Sequence, residues 1–224
     1  LRQAVGTAVD DLMLLRAIES GAVTDDDMPP SLSDILADRE THDWLVPGLF
    51  ERTDRLILTG FEGTGKSFLL AQMALCIAAG INPFLGFPSH EPSRVLVIDC
   101  ENSRRQTQRR YRRIAQEVEK LTVSNNMASP DWSKQMRFVI RPEGVALNEP
   151  RQVQRIERNI RAVNPDLVIV GPLYRMHTLD TKDEQAAKEL TNVLDHLRIK
   201  HKFCLIAEAH VSHGSTREAR ALRP

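Results

Sequence analysis

Residues 60–67 read Gly-Phe-Glu-Gly-Thr-Gly-Lys-Ser, and both the residue types and their spacing suit capture of a polyphosphate. Glycines at 60, 63 and 65 take backbone angles barred to other residues, so successive N–H groups can turn inward around an anion. At this spacing the Lys66 ammonium reaches the β- and γ-phosphates of a nucleotide, and the Ser67 hydroxyl is a ligand for Mg²⁺. The expected binding set is Gly60, Glu62, Gly63, Thr64, Gly65, Lys66, Ser67 and Phe68, with ATP and Mg²⁺ as the ligands. A chance glycine-rich turn is a poor reading of a complete motif that follows the apolar run Leu56-Ile57-Leu58 and opens a helical pattern.

Three further groups have chemistry within reach. Asp99 and Glu101 end the apolar run 94–98, and carboxylates at the C-terminal end of a parallel strand sit where open α/β sheets bind ligands. Glu101 is the candidate base that orients and deprotonates a water; Asp99 is the candidate for the water shell of Mg²⁺, and either could instead cap the next helix. The run Leu167-Val168-Ile169-Val170 also has the shape of a buried strand rising to the phosphates, but ends in Gly171 where an aspartate is usual. Asp166 lies at the wrong end of that strand to replace it. Either Asp99 and Glu101 carry the metal's outer shell, or catalysis is weak, or the backbone must approach closely at Gly171. The last strand, 203–207, ends in Glu208-Ala209-His210, where His210 is a candidate sensor of the γ-phosphate or a surface histidine. His210 and His213 make a poor zinc pair because no further ligands are evident.

The elements that must position these groups alternate in type. Periodicity predicts helices at 66–79, from 104 to about 121, at 150–163 and at 184–200, and strands near 94–98, 136–140, 167–170 and 203–207. Gly80 ends the first of these helices, and 122–134 reads as a loop. Upstream, an amphipathic helix at 9–18 packs on its own domain or docks on a neighbouring subunit, and Asp25-Asp26-Asp27-Met28-Pro29-Pro30 reads as a linker. A short helix follows with Ser33 as its cap. Trp44 and Phe50 supply core area or line an adenine site. The expected organisation is an N-terminal helical extension over 1–43 and an α/β domain over 44–224, with chain missing beyond Leu1 and Pro224.

Thirty basic and thirty acidic residues cancel over 224 positions, so contact with a nucleic acid requires a local patch. One exists. Arg104, Arg105, Arg109, Arg110, Arg112 and Arg113 fall within ten residues, and Arg105, Arg109 and Arg113 share a helical stripe able to track phosphates or to form a solvated or interfacial face. The acidic loop at 180–184 is a second candidate for facing DNA, or a gating segment. Arg217, Arg220 and Arg223 are candidates for a finger reaching into another subunit's site. Cys76, Cys100 and Cys204 lie in apolar segments and are expected to be buried reduced thiols. With no apolar run of membrane-spanning length, a cytoplasmic location without membrane contact is the expectation.

The order of these motifs, from Gly60–Ser67 through Asp99-Cys100-Glu101 and Gly171-Pro172-Leu173 to Glu208-Ala209-His210, resembles that of RecA-fold ATPases. The chain is most similar to the plasmid and phage replicative helicase branch, related to hexameric DnaB-type helicases and including actinobacterial phage ATPases, over roughly 44–213. That resemblance implies a RecA-like P-loop NTPase fold, a mostly parallel sheet flanked by helices, with the His210 strand between those leading to Lys66 and Gly171. It also implies Glu101 as catalytic base, His210 as phosphate sensor, an arginine from an adjoining subunit, and a homo-oligomeric ring, a hexamer. The activity it implies is an Mg²⁺-dependent ATPase moving on single-stranded nucleic acid, DNA in particular. A recombinase, a helicase-loading ATPase and a slowly hydrolysing nucleotide switch are the alternatives, and Gly171 is the departure that raises the last.

Overall fold

Short runs of Val, Ile and Leu form strands buried on both faces, and they assemble in a computed structural model that describes residues 28–37, 41–178 and 184–210. The chain divides into two compact units, residues 1–41 and 42–224. In the first, α1 spans Leu32–Ala37. Its cap is Ser31, not the expected Ser33: the Asp34 amide donates to Ser31 Oγ (3.2 Å), and the Ser31 amide donates to Asp34 Oδ2 (2.8 Å). This reciprocal pairing needs an acidic group three residues beyond the cap, and only Ser31 has one. The helix expected at 9–18 lies outside the described residues.

The second unit opens with a two-stranded antiparallel ribbon, β1 (Trp44–Val46) and β2 (Phe50–Glu51). Phe50 is buried, so it supplies core area, while Trp44 stacks on His42 with ring centroids 4.7 Å apart. The remaining strands, β3 (Arg55–Gly60), β4 (Val95–Asp99), β5 (Met136–Ile140), β6 (Leu167–Gly171) and β7 (Cys204–His210), form one parallel sheet in the order β3-β7-β6-β4-β5. The β7 strand lies between β3 and β6, as the resemblance implied. It also runs three residues further than its apolar segment, so Glu208 and His210 belong to the strand itself.

Alternation along the strands divides the core. Val95, Val97, Leu167, Ile169, Cys204 and Ile206 face the helix α2 (Lys66–Ala79) and the later turns of the longer α3 (Arg104–Ser124), through Ile114 and Val118. Leu96, Ile98, Val168, Val170, Leu205 and Ala207 face α5 (Pro150–Val163) and α6 (Glu184–His201). Between α3 and β5 the single turn α4 (Trp132–Gln135) replaces part of the expected loop, started by the Asp131 carboxylate accepting from the Ser133 amide (3.1 Å). The α3 helix outruns its expected end by three residues, closed by Asn125, whose amide donates to Leu121 O (3.0 Å). All three cysteines are buried and unbonded, and burial pushes the Cys76 thiol up to about 11 and those of Cys100 and Cys204 to about 12. No helix among the described residues is long and apolar enough to cross a membrane.

Gly80 closes α2 in the left-handed region (φ 78°), its N–H shared between Cys76 O and Ile77 O. A Cβ at this position would stand 2.6 Å from His90 O. Gly80→Ala is therefore expected to destabilise the fold by about 1–3 kcal/mol, read as a lowered urea midpoint with the slope unchanged.

Candidate functional site

The phosphate-loop geometry follows from its sequence. Gly63 and Gly65 have φ values of 79° and 87°, and Gly65 is the N-cap of α2, so the amides of the loop and the positive end of the helix dipole face the same side. Lys66 is buried, and its ammonium donates to Gly60 O (2.9 Å) and Phe61 O (2.8 Å). Two of its three N–H donors thus hold the loop's shape and the third is left for an anion. Gly60 leaves room for this arrangement: a Cβ there would lie 3.2 Å from Thr64 Oγ1 and 3.4 Å from Lys66 Cδ. Glu62, Thr64 and Phe68 are exposed around the loop.

Strand register brings the remaining candidates together. Leu58 of β3 pairs with Glu208, and Asp99 of β4 pairs with Gly171 and with Ile140. Val170 pairs with Ala207, which sets Gly171 beside Glu208. One row therefore crosses the sheet at its C-terminal edge, Leu58-Glu208-Gly171-Asp99-Ile140, and continues the α2-facing alternation of the core. Beneath the loop a crevice of about 30 Å³ is lined by Ser67, Asp99, Glu101, Asn102, Arg110, Gly171 and Glu208 among others. That is room for about two waters or an ion with one water. A larger cavity of about 740 Å³ opens between α3 and β5, lined by Ser103, Thr107, Tyr111, Phe138 and neighbours. It is away from the loop, and a nucleotide's phosphates would lie over the exposed loop amides, so its size does not make it the phosphate site.

Each carboxylate in the crevice has its own surroundings. Asp99 is buried and holds the β4–α3 turn: Oδ1 accepts from the Glu101 amide (3.1 Å) and the Asn102 amide (2.9 Å), and Oδ2 accepts from Thr107 Oγ1 (3.2 Å). The Asn102 side chain donates to both oxygens (3.1 and 3.2 Å). Asp99 thus lines the crevice and performs the turn-capping role as well. The cap of α3 itself is Ser103, paired reciprocally with Gln106. Glu101 is exposed, and its Oε1 accepts from the Tyr174 hydroxyl (3.0 Å). Desolvation first, and the Glu101 carboxylate second, raise the Tyr174 phenol above its usual range. The Tyr174 ring also meets His210 edge-on, with centroids 5.4 Å apart.

His210 pairs with Gly60 in register, so β7 delivers it to the foot of the loop. Its Nε2 is buried with no hydrogen-bond partner, and lies 3.8 Å from Glu208 Oε1. A buried ring nitrogen in this position is what a group meant for an incoming phosphate would present. Asp166 is at the opposite edge, where Oδ1 accepts from Arg52 (2.7 Å) and Oδ2 from the Arg94 amide (2.8 Å), so it takes no part. His213, Arg217, Arg220, Arg223 and the acidic loop at 180–183 lie outside the described residues.

Three contributions to the crevice escaped the reading of the sequence, which named Arg110 only within the basic run and Glu208 only at the end of the last strand. Tyr174 follows Gly171 by three residues and enters through a 3₁₀ turn at Leu173–Arg175. Arg110 alone among the six clustered arginines lines the crevice, where its Nη2 approaches Asn102 Oδ1 (3.4 Å). Glu208 is buried, and the Ser67 hydroxyl donates to its Oε1 (3.1 Å) and Oε2 (3.3 Å). Its signal was a carboxylate on the strand that carries His210, opposite a glycine where an acid was expected.

A parallel sheet with a phosphate loop between an edge strand and a buried helix, and polar groups from two further strands around it, defines a RecA-like P-loop NTPase. A profile of the AAA domain family matches residues 27–216, and the chain belongs to that family. It carries a P-loop ATPase domain, whose common property is nucleotide binding. No curated protein matches the chain.

Tyr174→Phe removes one hydroxyl from Glu101 and leaves the loop untouched. Its expected effect on ATP turnover is a fall in kcat of about three- to tenfold with KM within about twofold, measured by steady-state phosphate release.

Proposed function

We propose that the protein couples ATP hydrolysis to binding and movement along single-stranded DNA, as a homo-oligomeric, hexameric ring of the plasmid and phage replicative helicase type. The observation that carries this reading is the placement of α3. The helix leaves the nucleotide crevice at Asp99-Cys100-Glu101, sends Arg110 back into it, and presents Arg104, Arg105, Arg109, Arg112 and Arg113 to solvent. None of these arginines has a described carboxylate within ion-pair distance. An uncompensated basic face on the element that leaves the site is suited to a polyanion.

The chemistry assigned to the chain's residues is phosphoryl transfer to water. Lys66 and the amides of 63–67 stabilise charge on the β- and γ-phosphates as the bond to the bridging oxygen breaks and ADP leaves. Glu101 orients the attacking water and accepts its proton; Tyr174 fixes the carboxylate for that task. His210 meets the γ-phosphate. Ser67, with Asp99 and Glu208 beside it, would hold Mg²⁺ at the mouth of the crevice, because these groups supply hard oxygen donors. When bound, that ion neutralises charge on the phosphate oxygens.

A second reading, a nucleotide switch with slow hydrolysis, is favoured by Gly171 in place of an acidic residue. ATP hydrolysis measured with and without single-stranded DNA, alongside the mass of the assembly, separates the two. The motor is expected to be stimulated by DNA, to assemble, and to lose turnover by at least about a hundredfold in Lys66→Ala or Glu101→Gln. A monomer indifferent to DNA, binding ATP without turnover, would establish the switch. Removing charge at Arg105, Arg109 and Arg113 together is expected to lower the slope of log affinity against log salt by about 2, at ~0.7 per phosphate contact on a single strand. An unchanged slope would place the DNA elsewhere.

A further inference from the structure

We infer that the acidic residue serving the metal's water shell has moved one strand sideways in this protein, from β6 to β7, and that Glu208 is that residue. The inference deepens the ATPase reading and rests on Gly60–Ser67 being the phosphate site. Three observations carry it. Glu208 is the carboxylate that the metal-ligand candidate Ser67 hydrogen-bonds directly, at 3.1 and 3.3 Å. It is buried, at 6% exposure, so its charge needs a partner in the crevice it lines. The Asp99 carboxylate, by contrast, already accepts from the Glu101, Asn102 and Thr107 donors of its own turn.

A further observation explains the glycine. Gly171 and Glu208 are neighbours in the row across the sheet and continue the same α2-facing alternation. A Cβ on residue 171 would stand 2.6 Å from Glu208 Cβ and 3.3 Å from its Cα, inside the contact distance of any two carbons. An aspartate at 171 and Glu208 as placed are therefore mutually exclusive. Adjacent strands lie about 4.8 Å apart, so shifting the acid to β7 moves its Cα by that distance toward β3 and the loop. Glycine at 171 supplies the space, and a neighbouring strand supplies the charge. Neither substitution makes sense without the other.

Glu208 accepts from Ser67 here, and with Mg²⁺ bound the same oxygens would be available to accept from the waters of the ion. Its negative charge beside the phosphates is repulsive until the cation arrives. This predicts that removing the charge weakens binding with Mg²⁺ and does not weaken it without the cation. Affinity of a fluorescent ATP analogue is measured with Mg²⁺ and with EDTA for the wild type, Glu208→Gln and Gly171→Ala, each checked for folding by thermal melting.

Glutamine is nearly isosteric and still accepts from Ser67, so the fold is preserved. The Mg²⁺-dependent gain in affinity is expected to fall about tenfold or more in Glu208→Gln, in the range seen when a metal's outer partner is lost. Affinity in EDTA is expected to be unchanged or tighter, because a like charge has gone. Gly171→Ala drives against Glu208 Cβ and its backbone, so β7 must shift and carry Glu208 with it, and the Mg²⁺-dependent gain is expected to fall in the same direction. A wild-type gain retained in Glu208→Gln would overturn the inference, as would equal weakening in both conditions, the signature of a merely structural residue. Wild-type protein that binds the analogue in neither condition would overturn the phosphate-site reading itself, and this inference with it.

Discussion

The arrangement of the molecule depends on a parallel sheet whose interior admits no unpaired polar group. Strands β4, β6 and β7 are buried on both faces, so a carboxylate part-way along any of them would be left without water or partner. Polar side chains are tolerated only where the strands run out, and parallel pairing gathers all the C-terminal ends at one edge and the N-terminal ends, with Asp166 and Arg94, at the other. Asp99, Glu208 and His210 are at the C-terminal edge because the packing forbids them part-way along a strand, and Gly171 ends β6 beside them. The same constraint places Lys66, since α2 must cover the sheet face formed by Val97, Ile169 and Ile206, and its first turn then stands over the strand ends.

The loop's own energetics are local. Two carbonyls hold the Lys66 ammonium, and left-handed glycines let the amides face outward, so the anion-binding shape is built without help from the rest of the sheet. What the sheet adds is the second wall of the crevice. That wall is made from three strands distant in sequence, and its chemistry depends on which strand lies next to which.

This distinction decides what could be read from the sequence. The spans 66–79, 136–140 and 150–163 match the helices and strand observed, because each carries its own periodicity and its own start or stop, such as Gly80 or Pro150. The loop was legible for the same reason, being a contiguous motif. The partnership of Ser67 with Glu208 was not, since it spans 141 positions and exists only because β7 inserts between β3 and β6. Tyr174 was hidden in the same way: nothing about a tyrosine after Gly-Pro-Leu says that its hydroxyl will meet Glu101. At the margins, Ser31 displaced Ser33 as a cap through Asp34, a contest between two plausible serines that only the reciprocal bond resolves.

The turn between β4 and α3 ties the site to the proposed contact surface by rigid means. Thr107, one turn inside α3, donates to Asp99 at the strand end, and the Ser103–Gln106 cap fixes the first turn between them. The same Asp99 carboxylate receives the Glu101 amide, so the backbone that sets the proposed base and the helix that carries the arginines share one anchor. A displacement of α3 by a ligand on its basic face would therefore be felt at Glu101, and a change at Glu101 would be felt along α3. For a protein that uses ATP to move a strand, such reciprocity is required by linkage: whatever DNA does to the site, the site must do to DNA. A switch needs the same shared anchor. The two readings differ in whether Glu101 and Tyr174 complete the attack on the γ-phosphate quickly enough to reset it.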